Sequence, residues 1–385
     1  MYQVKLLNKI SPSGLERLPS SLYQYAEDVE NPDAILVRSA SMHELELPES
    51  VRAIARCGAG TNNIPIDKCS EAGIAVFNTP GANANAVKEL TIAGLLLSAR
   101  KIFPAMEWAQ GLKGQGAAVP GLVEKGKSQF SGPELKGKKL GVIGLGAIGV
   151  MVCNAARHFG MEIYGYDPYL SVDSAWNLSR SIIRANSYKE IYENCDFITL
   201  HVPVTNETKG MINSQSIHQM KHGVRLINFS RGDLVDNDDL LVALGEKQVY
   251  CYITDFPCEE LLGQPGVIAL PHLGASTPES EDNCAAMAAD EIRDFLENGN
   301  IRNSVNLPAV VVERTGRQRV TVIHRNSPGM ISKISGAMGA NIDNLTNKSR
   351  GDYAYTVLDL DNGVTDEILQ TLRSTEGIIR VTVIK

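Results

Sequence analysis

Three polar side chains each stand just past a short apolar run. Arg231 follows Ile227-Asn228-Phe229-Ser230, Glu260 closes the segment DFPCEE, and His272 opens the segment PHLGAST after the run Val267 to Leu270. These are the residue types that removal of hydride from a hydroxyl beside a carboxylate requires. A histidine titrates near neutrality and can take the hydroxyl proton as hydride leaves. A carboxylate fixes the imidazole tautomer and stabilises the imidazolium. An arginine holds a substrate carboxylate with two parallel hydrogen bonds and polarises the carbonyl that forms. Each alone has an ordinary explanation: a strand cap, a surface ion pair, a solvated loop acid. Three suitable types at consecutive strand ends behind a dinucleotide fingerprint favour the catalytic reading.

That fingerprint lies upstream. Residues 140 to 149 read LGVIGLGAIG, with Gly144, Gly146 and Gly149 in the order G-x-G-x-x-G. The first glycine permits the tight turn, the second lets a pyrophosphate approach the backbone, and the third lets the following helix pack against the strand. The helix that begins there aims free N–H groups and its positive dipole end at phosphates. A second strand, Glu162 to Tyr166, ends in Asp167. This places a carboxylate about 20 residues past the glycines, where it can accept from an adenosine ribose. A carboxylate there repels a 2′-phosphate, which favours NAD over NADP. Glycines alone are a weak signal; the strand before, helix after and acid beyond make the combination specific.

A second region could hold an anion. Two loops follow strand candidates in the first hundred residues: one begins at Arg38 (RSAS), the other is RCGAGTNN, Arg56 to Asn63. Arg38 and Arg56 can grip a carboxylate or phosphate, and the backbone of Gly58, Ala59 and Gly60 can offer N–H groups. Two surface arginines and a turn explain the same residues equally well. His201 ends the apolar strand FITLHVPVT on the cofactor side. His43, His158, His218 and His222 lie in polar or helical stretches and read as structural or exposed. His218 and His222 are four residues apart, but a pair without further ligands makes no metal set, and no metal is expected.

The elements that must position these groups follow from pattern. The chain has 385 residues, enough for two or three domains. It is 43% hydrophobic and 21% charged with net charge -7, a globular composition with no pull toward nucleic acid. No apolar run reaches the ~20 residues that span a bilayer, and the N-terminus reads too polar for a signal peptide. Seven scattered cysteines, without a C-x-x-C pair, fit reduced thiols of a cytoplasmic protein better than disulfides or zinc. Residues 1 to 97 alternate strand candidates (Ala34 to Val37, Val51 to Ala55, Ile74 to Phe77) with polar or helical stretches, including a nearly all-apolar helix from 84 to 101. Residues 111 to 137, rich in Gly, Lys and Pro, read as loop. Strands near 140, 162, 196, 224, 250 and 267 build a doubly wound sheet. A helix follows at 282 to 298, then the linker Asn303 to Ala309. The stretch from Arg319 onward reads βαββαβ, a small two-layer domain.

With these motifs in place, the chain resembles the D-2-hydroxyacid dehydrogenase family along essentially its whole length. The matching stretches are RSA at 38, CGAGTNNIPID at 57, FNTPGANANAVKEL at 77, GVIGLGAIG at 141, HVPVT at 201, INFSRGDLVD at 227, DFPCEE at 255 and PHLGAST at 271. The resemblance implies a catalytic set falling on Arg231, Glu260 and His272. It implies NAD contacts from Ala147, Ile148, His201, Val202, Pro203, Thr208, Ser230, Asp255 and Gly274 beside the fingerprint, and a substrate contact from Asn78. It also implies a Rossmann-type nucleotide domain, residues 98–281, inserted in a flavodoxin-like substrate domain, residues 1–97 and 282–308, with hinge closure over a cleft. Two departures stand out: Thr61-Asn62-Asn63-Ile64-Pro65 lacks the usual Asp before Asn, and Leu261 stands where a Pro often follows the glutamate.

The C-terminal unit, residues 317–385, resembles an ACT domain. IHRNSPG at 323 and ANID at 340 match the serine-sensing form, which implies His324, Asn326 and Asn341 as serine ligands. Within the family the likeness is to the branch oxidising D-3-phosphoglycerate to 3-phosphohydroxypyruvate with NAD, the first step of L-serine biosynthesis, in dimers or tetramers. Two alternatives stay open: a hydroxypyruvate or glyoxylate reductase with the same catalytic set, and a non-enzymatic NAD-sensing protein on the same fold.

Overall fold

The computed structural model describes residues 1–314, 318–361 and 363–384. The chain forms two compact units, Met1–Asn83 with Thr277–Lys385, and Ala84–Ser276. The second is therefore inserted in the first.

The first unit contains a five-stranded parallel sheet. Its spatial order is Tyr23–Ala26, Tyr2–Leu7, Ala34–Val37, Ala53–Arg56 and Ala75–Asn78, the 2-1-3-4-5 order of flavodoxin-like folds. The pleat sorts the side chains of the strand Ala53–Arg56. Ala53 and Ala55 face a core with Ala285, Ala288, Ala289 and Ile292 of the helix Pro278–Asn298. Ile54 faces the opposite core with Val37, Met42 and Cys69. The strands Tyr2–Leu7 and Tyr23–Ala26 escape sequence reading because their burial is mixed and their composition polar.

The second unit is an all-parallel seven-stranded sheet. From one edge it runs Val267–Ala269, Val249–Thr254, Val224–Asn228, Phe197–Leu200, Lys139–Ile143, Glu162–Tyr166 and Ile183–Arg184. Chain order reverses between Phe197–Leu200 and Lys139–Ile143, the switch point where doubly wound sheets bind ligands. The helix Ala84–Ala99 belongs to this unit, not to residues 1–97. Val87, Leu95 and Ala99 share a core with Val142, Val150, Ile227 and Phe229. Apolar on nearly every side, it gave no directional cue to which sheet it covers. Residues 111 to 137 are not plain loop. They hold the helix Val119–Gly126, with a proline in its first turn, and short 3-10 turns at Gly116–Ala118 and Lys127–Phe130. The rings of Trp108 and Phe130 pack at a tilt, with centroids 5.4 Å apart.

The first unit also carries a four-stranded antiparallel sheet, ordered Ile342–Arg350, Tyr353–Leu360, Gln318–Arg325 and Ile378–Ile384. With the helices Met330–Ala337 and Asp366–Ser374 this is the expected βαββαβ module. Its outer limits at 317 and 385 lie outside the described residues. One face packs on its two helices. The other, through Ile323, Tyr355 and Val357, joins the core around Phe295 and Leu296. Within this sheet, fully buried Arg319 binds Asp359 of the neighbouring strand with two hydrogen bonds of 2.6 and 2.8 Å. It also donates to the carbonyls of Asn298 (2.8 Å), Val312 (3.1 Å) and Glu313 (3.0 Å). All five guanidinium N–H donors are thereby hydrogen-bonded, the condition under which a buried ion pair can offset its desolvation.

Candidate active site

The glycine turn in the second unit is built as its pattern requires. Gly144 has φ 92°, and a Cβ there would lie 2.5 Å from the His201 carbonyl oxygen. A Cβ on Gly149 would lie 1.9 Å from the Gly144 carbonyl oxygen. Gly146 differs: a Cβ there meets nothing within 4 Å. Its bare backbone faces open space, as close approach by a phosphate needs. The helix Ala147–Arg157 starts there with no side-chain cap, so its first N–H groups stay available to an anion. Asp167 braces the turn, accepting from Leu145 N through Oδ2 and from Tyr169 N through Oδ1, both at 2.8 Å.

The next strand end forms the wall of this site. His201 contacts Thr199 Oγ1 through Nε2 at 3.0 Å, while its buried Nδ1 has no partner. Burial depresses the ring pKa to about 3, so the imidazole is neutral near pH 7. Val202 lies beside Gly144. Thr208 Oγ1 donates to the Pro203 carbonyl at 2.6 Å, bracing the loop.

The three chemical side chains follow three strands that are neighbours in the sheet. Asn228, fully buried, shapes the loop presenting Arg231. Its Oδ1 accepts from Ser230 N at 3.1 Å, and its Nδ2 donates to the Arg231 carbonyl at 2.9 Å and to Tyr252 Oη at 3.1 Å. Ser230 Oγ donates to the Leu200 carbonyl at 2.7 Å. The Arg231 guanidinium is exposed, with Nη1 on the Ser230 carbonyl at 2.6 Å. Asn228 and Tyr252 were not picked out as functional from sequence. An asparagine closing an apolar strand was the signal to follow.

Asp255 ends the next strand, 1% exposed. Its Oδ2 accepts from Gly274 N at 2.9 Å, tying this strand end to the histidine loop. Its buried Oδ1 has no partner. Burial raises its pKa, opposed by the Gly274 hydrogen bond and by His272. Glu260, exposed, has its pKa lowered by its own backbone N–H and by the Cys258 thiol. His272 is exposed and lies against Phe256, ring centroids 4.8 Å apart. Among the described residues no hydrogen bond or ion pair joins Glu260 to His272.

In the first unit the two arginine loops are one construction. Asn8, at φ 77°, accepts through Oδ1 from the N–H groups of Arg38 (3.3 Å), Ser39 (3.0 Å) and Ala40 (2.9 Å). Arg56 Nε donates to the Arg38 carbonyl at 3.0 Å. A Cβ on Gly58 would lie 2.4 Å from Arg56 Nη1, so the guanidinium lies over the glycine loop. Asn78 Nδ2 donates to the Ala59 carbonyl, and Thr79 N to that of Gly58 at 3.1 Å. Gly60 completes the loop. Cys57 is no nucleophile: burial pushes its thiol up to about 12.

In the βαββαβ module His324 is 1% exposed. Its Nδ1 contacts the Arg325 carbonyl at 2.8 Å, and its Nε2 contacts Thr356 Oγ1 at 2.9 Å and Asn347 Oδ1 at 3.2 Å. Asn326 donates to the Gly351 carbonyl at 3.1 Å, and Asn341 to Asp361. The structure brings His324 and Asn326 to one strand end; Asn341 precedes the edge strand Ile342–Arg350.

A fingerprint turn at the switch point of a doubly wound sheet, with Arg, Glu and His on three adjacent strand ends, defines a nucleotide-dependent oxidoreductase fold. Residues 92–274 match the family model described as D-isomer specific 2-hydroxyacid dehydrogenase, NAD binding domain, and the chain belongs to the D-2-hydroxyacid dehydrogenase family. It is 34% identical to D-3-phosphoglycerate dehydrogenase of Bacillus subtilis, over 80% of this chain and 60% of that protein. It is 31% identical to D-3-phosphoglycerate dehydrogenase of Haemophilus influenzae, over 93% of this chain and 88% of that one. The chain thus spans less than two thirds of the length of the Bacillus relative. Among solved structures it is similar to NAD+-bound 3-phosphoglycerate dehydrogenase of Entamoeba histolytica. That likeness has a TM-score of 0.60 and 27% identity, covering 79% of this chain and 98% of that one. Among the described residues no three His, Cys, Asp or Glu side chains cluster to hold a metal, and no helix is long and apolar enough to cross a membrane.

Proposed function

We propose that the chain oxidises D-3-phosphoglycerate to 3-phosphohydroxypyruvate with NAD. The carrying observation is the placement of Arg231, Glu260 and His272 on three neighbouring strand ends of the sheet that holds the fingerprint turn. The residues fit the cofactor: Gly146 faces open space, the following helix is uncapped, and a buried carboxylate oxygen of Asp255 lacks a donor, as an amide would supply. When bound, NAD accepts the hydride. Gly144, Gly146, Ala147, Ile148 and Gly149 would hold its phosphates and Asp167 its ribose. Val202, Pro203, Thr208, Ser230, Asp255 and Gly274 would line the rest, with His201 as a neutral wall.

Arg231 binds the substrate carboxylate and aligns the C2 hydroxyl. His272 accepts the hydroxyl proton as hydride leaves C2. Glu260, ionised with its pKa held down, turns to His272 and stabilises the imidazolium; such catalytic hydrogen bonds commonly tighten only with substrate bound. Arg38, Arg56, the Gly58 to Gly60 backbone and Asn78 hold the anion. L-serine, held at His324, Asn326 and Asn341 in a homo-oligomer, would modulate turnover from a distinct site.

The test is NADH formation from D-3-phosphoglycerate, beside reduction of hydroxypyruvate and glyoxylate and with or without serine. His272→Ala should cut kcat about 10²- to 10⁴-fold, the usual contribution of one general base, with NAD affinity retained. Turnover confined to unphosphorylated 2-keto acids would reassign the substrate. NADH binding without any turnover would point to a sensor.

A further inference from the structure

Arg38 does not face solvent as a bare cation. Its Nη2 donates to Glu281 Oε1 at 2.5 Å, an ion pair with both side chains about 40% exposed, at 42% and 41%. Glu281 lies in the first turn of the helix Pro278–Asn298. The arginine's backbone is fixed separately, by Asn8 below and by Arg56 on its carbonyl. Its guanidinium can therefore change partner while the loop stays still. The glutamate can let go at small cost, because the positive end of its own helix stabilises a carboxylate without the arginine. Exchange is selective by charge. A phosphate monoester carries about -1.5 to -2 at neutral pH and three acceptor oxygens, against the single charge of a carboxylate. A neutral hydroxyl at that end offers the arginine an acceptor without charge, too weak to displace a carboxylate.

We propose that Glu281 is a specificity-determining residue, a built-in counter-anion that the substrate's phosphate must displace from Arg38. The inference rests on the proposed phosphoglycerate activity. Glu281 raises the KM of phosphorylated substrate and restores the occupied arginine as product leaves. It leaves a substrate lacking the phosphate untouched.

The experiment compares wild-type chain with Glu281→Gln and Glu281→Asp, measuring kcat and KM for 3-phosphohydroxypyruvate and for hydroxypyruvate in reduction by NADH. Glu281→Gln should lower KM for the phosphorylated substrate about two- to fivefold, the range set by a half-exposed ion pair. Its kcat and the hydroxypyruvate KM should be unchanged, and Glu281→Asp should fall nearer wild type. The KM gain should shrink as salt rises toward 0.5 M. Damage to the fold raises KM, so the direction separates the exchange from a merely structural pair. A KM for the phosphorylated substrate that rises or stays level in Glu281→Gln, or falls equally for both substrates, overturns the proposal. If wild type does not turn over the phosphorylated substrate at all, the assigned activity fails first, a result distinct from an unchanged KM ratio.

Discussion

On the proposed function, the molecule handles anions with two kinds of loop, one in each compact unit. The turn at Gly144 to Gly149 works with backbone alone: N–H groups at a helix start, open space at Gly146, and only Asp167 as a side-chain brace. The loops at Arg38 and Arg56 work with side chains, and each part is held from far away in the chain. Asn8 is 30 residues from Arg38, and Glu281 is 243 residues from it. A backbone cradle offers fixed partial charges and costs no rotamer entropy, but it cannot change its charge. A guanidinium with an internal counter-anion can trade partners. The first design suits a cofactor whose phosphates are always the same; the second suits a site that must tell one anion from another.

The sharpest way to break this contrast is Gly149→Ala. Its Cβ would overlap the Gly144 carbonyl oxygen, and backbone cannot swing aside as a side chain can. NADH binding followed by fluorescence should be lost or weakened at least tenfold, with destabilisation of about 1–3 kcal/mol for forced overpacking. Near-native NADH affinity in this variant would mean that the turn is not the cofactor cradle.

Asn8→Ala tests the long-range loop and should act more mildly. It removes one acceptor from three N–H groups that water can partly satisfy, a loss of about 1–2 kcal/mol. The KM for the phosphorylated substrate should rise several-fold, while NADH affinity stays level. Equal damage to both would remove the separation between the two loops.

The last contrast concerns pH, which acts on stability rather than on binding, and the two units should respond in opposite directions. His201, in the second unit, has its pKa lowered by burial to about 3. Its unfolded form binds a proton below about pH 6.5, so stability is full above that value and declines as pH falls toward 3. Glu291, in the first unit, is 5% exposed; burial raises its pKa to about 8, opposed by the Asn303 hydrogen bond at 2.6 Å. Its stability contribution is full below about pH 4.5 and is lost as pH rises toward 8. Thermal melts should show His201→Gln flattening the acid side and Glu291→Gln flattening the neutral to alkaline side. A matched response in both variants would tie the pH dependence to other groups.

Local sequence was enough for the fingerprint, because all its parts fall within a strand, a turn and a helix start. The placement of Arg231, Glu260 and His272, each three to six residues beyond its strand, was legible in the same way, as was the βαββαβ order, set by alternating apolar runs. The membership of the helix Ala84–Ala99 was illegible, since an evenly apolar helix does not say which sheet buries it. Asn8 was illegible too, since an asparagine becomes a loop brace only when a distant strand end is laid across it.

What the residues determined by themselves were the chemical types and their order along the chain, because strand and turn preferences act over a few positions. What only the tertiary structure decided were the partners: Glu281 on Arg38, Asp255 on Gly274, Arg319 on Asp359 and the Asn298 carbonyl. Each joins segments 19 to 243 residues apart. No local preference encodes such a pairing; it arises when burial fixes which strand ends and helix ends meet, and charge then selects among the neighbours that result.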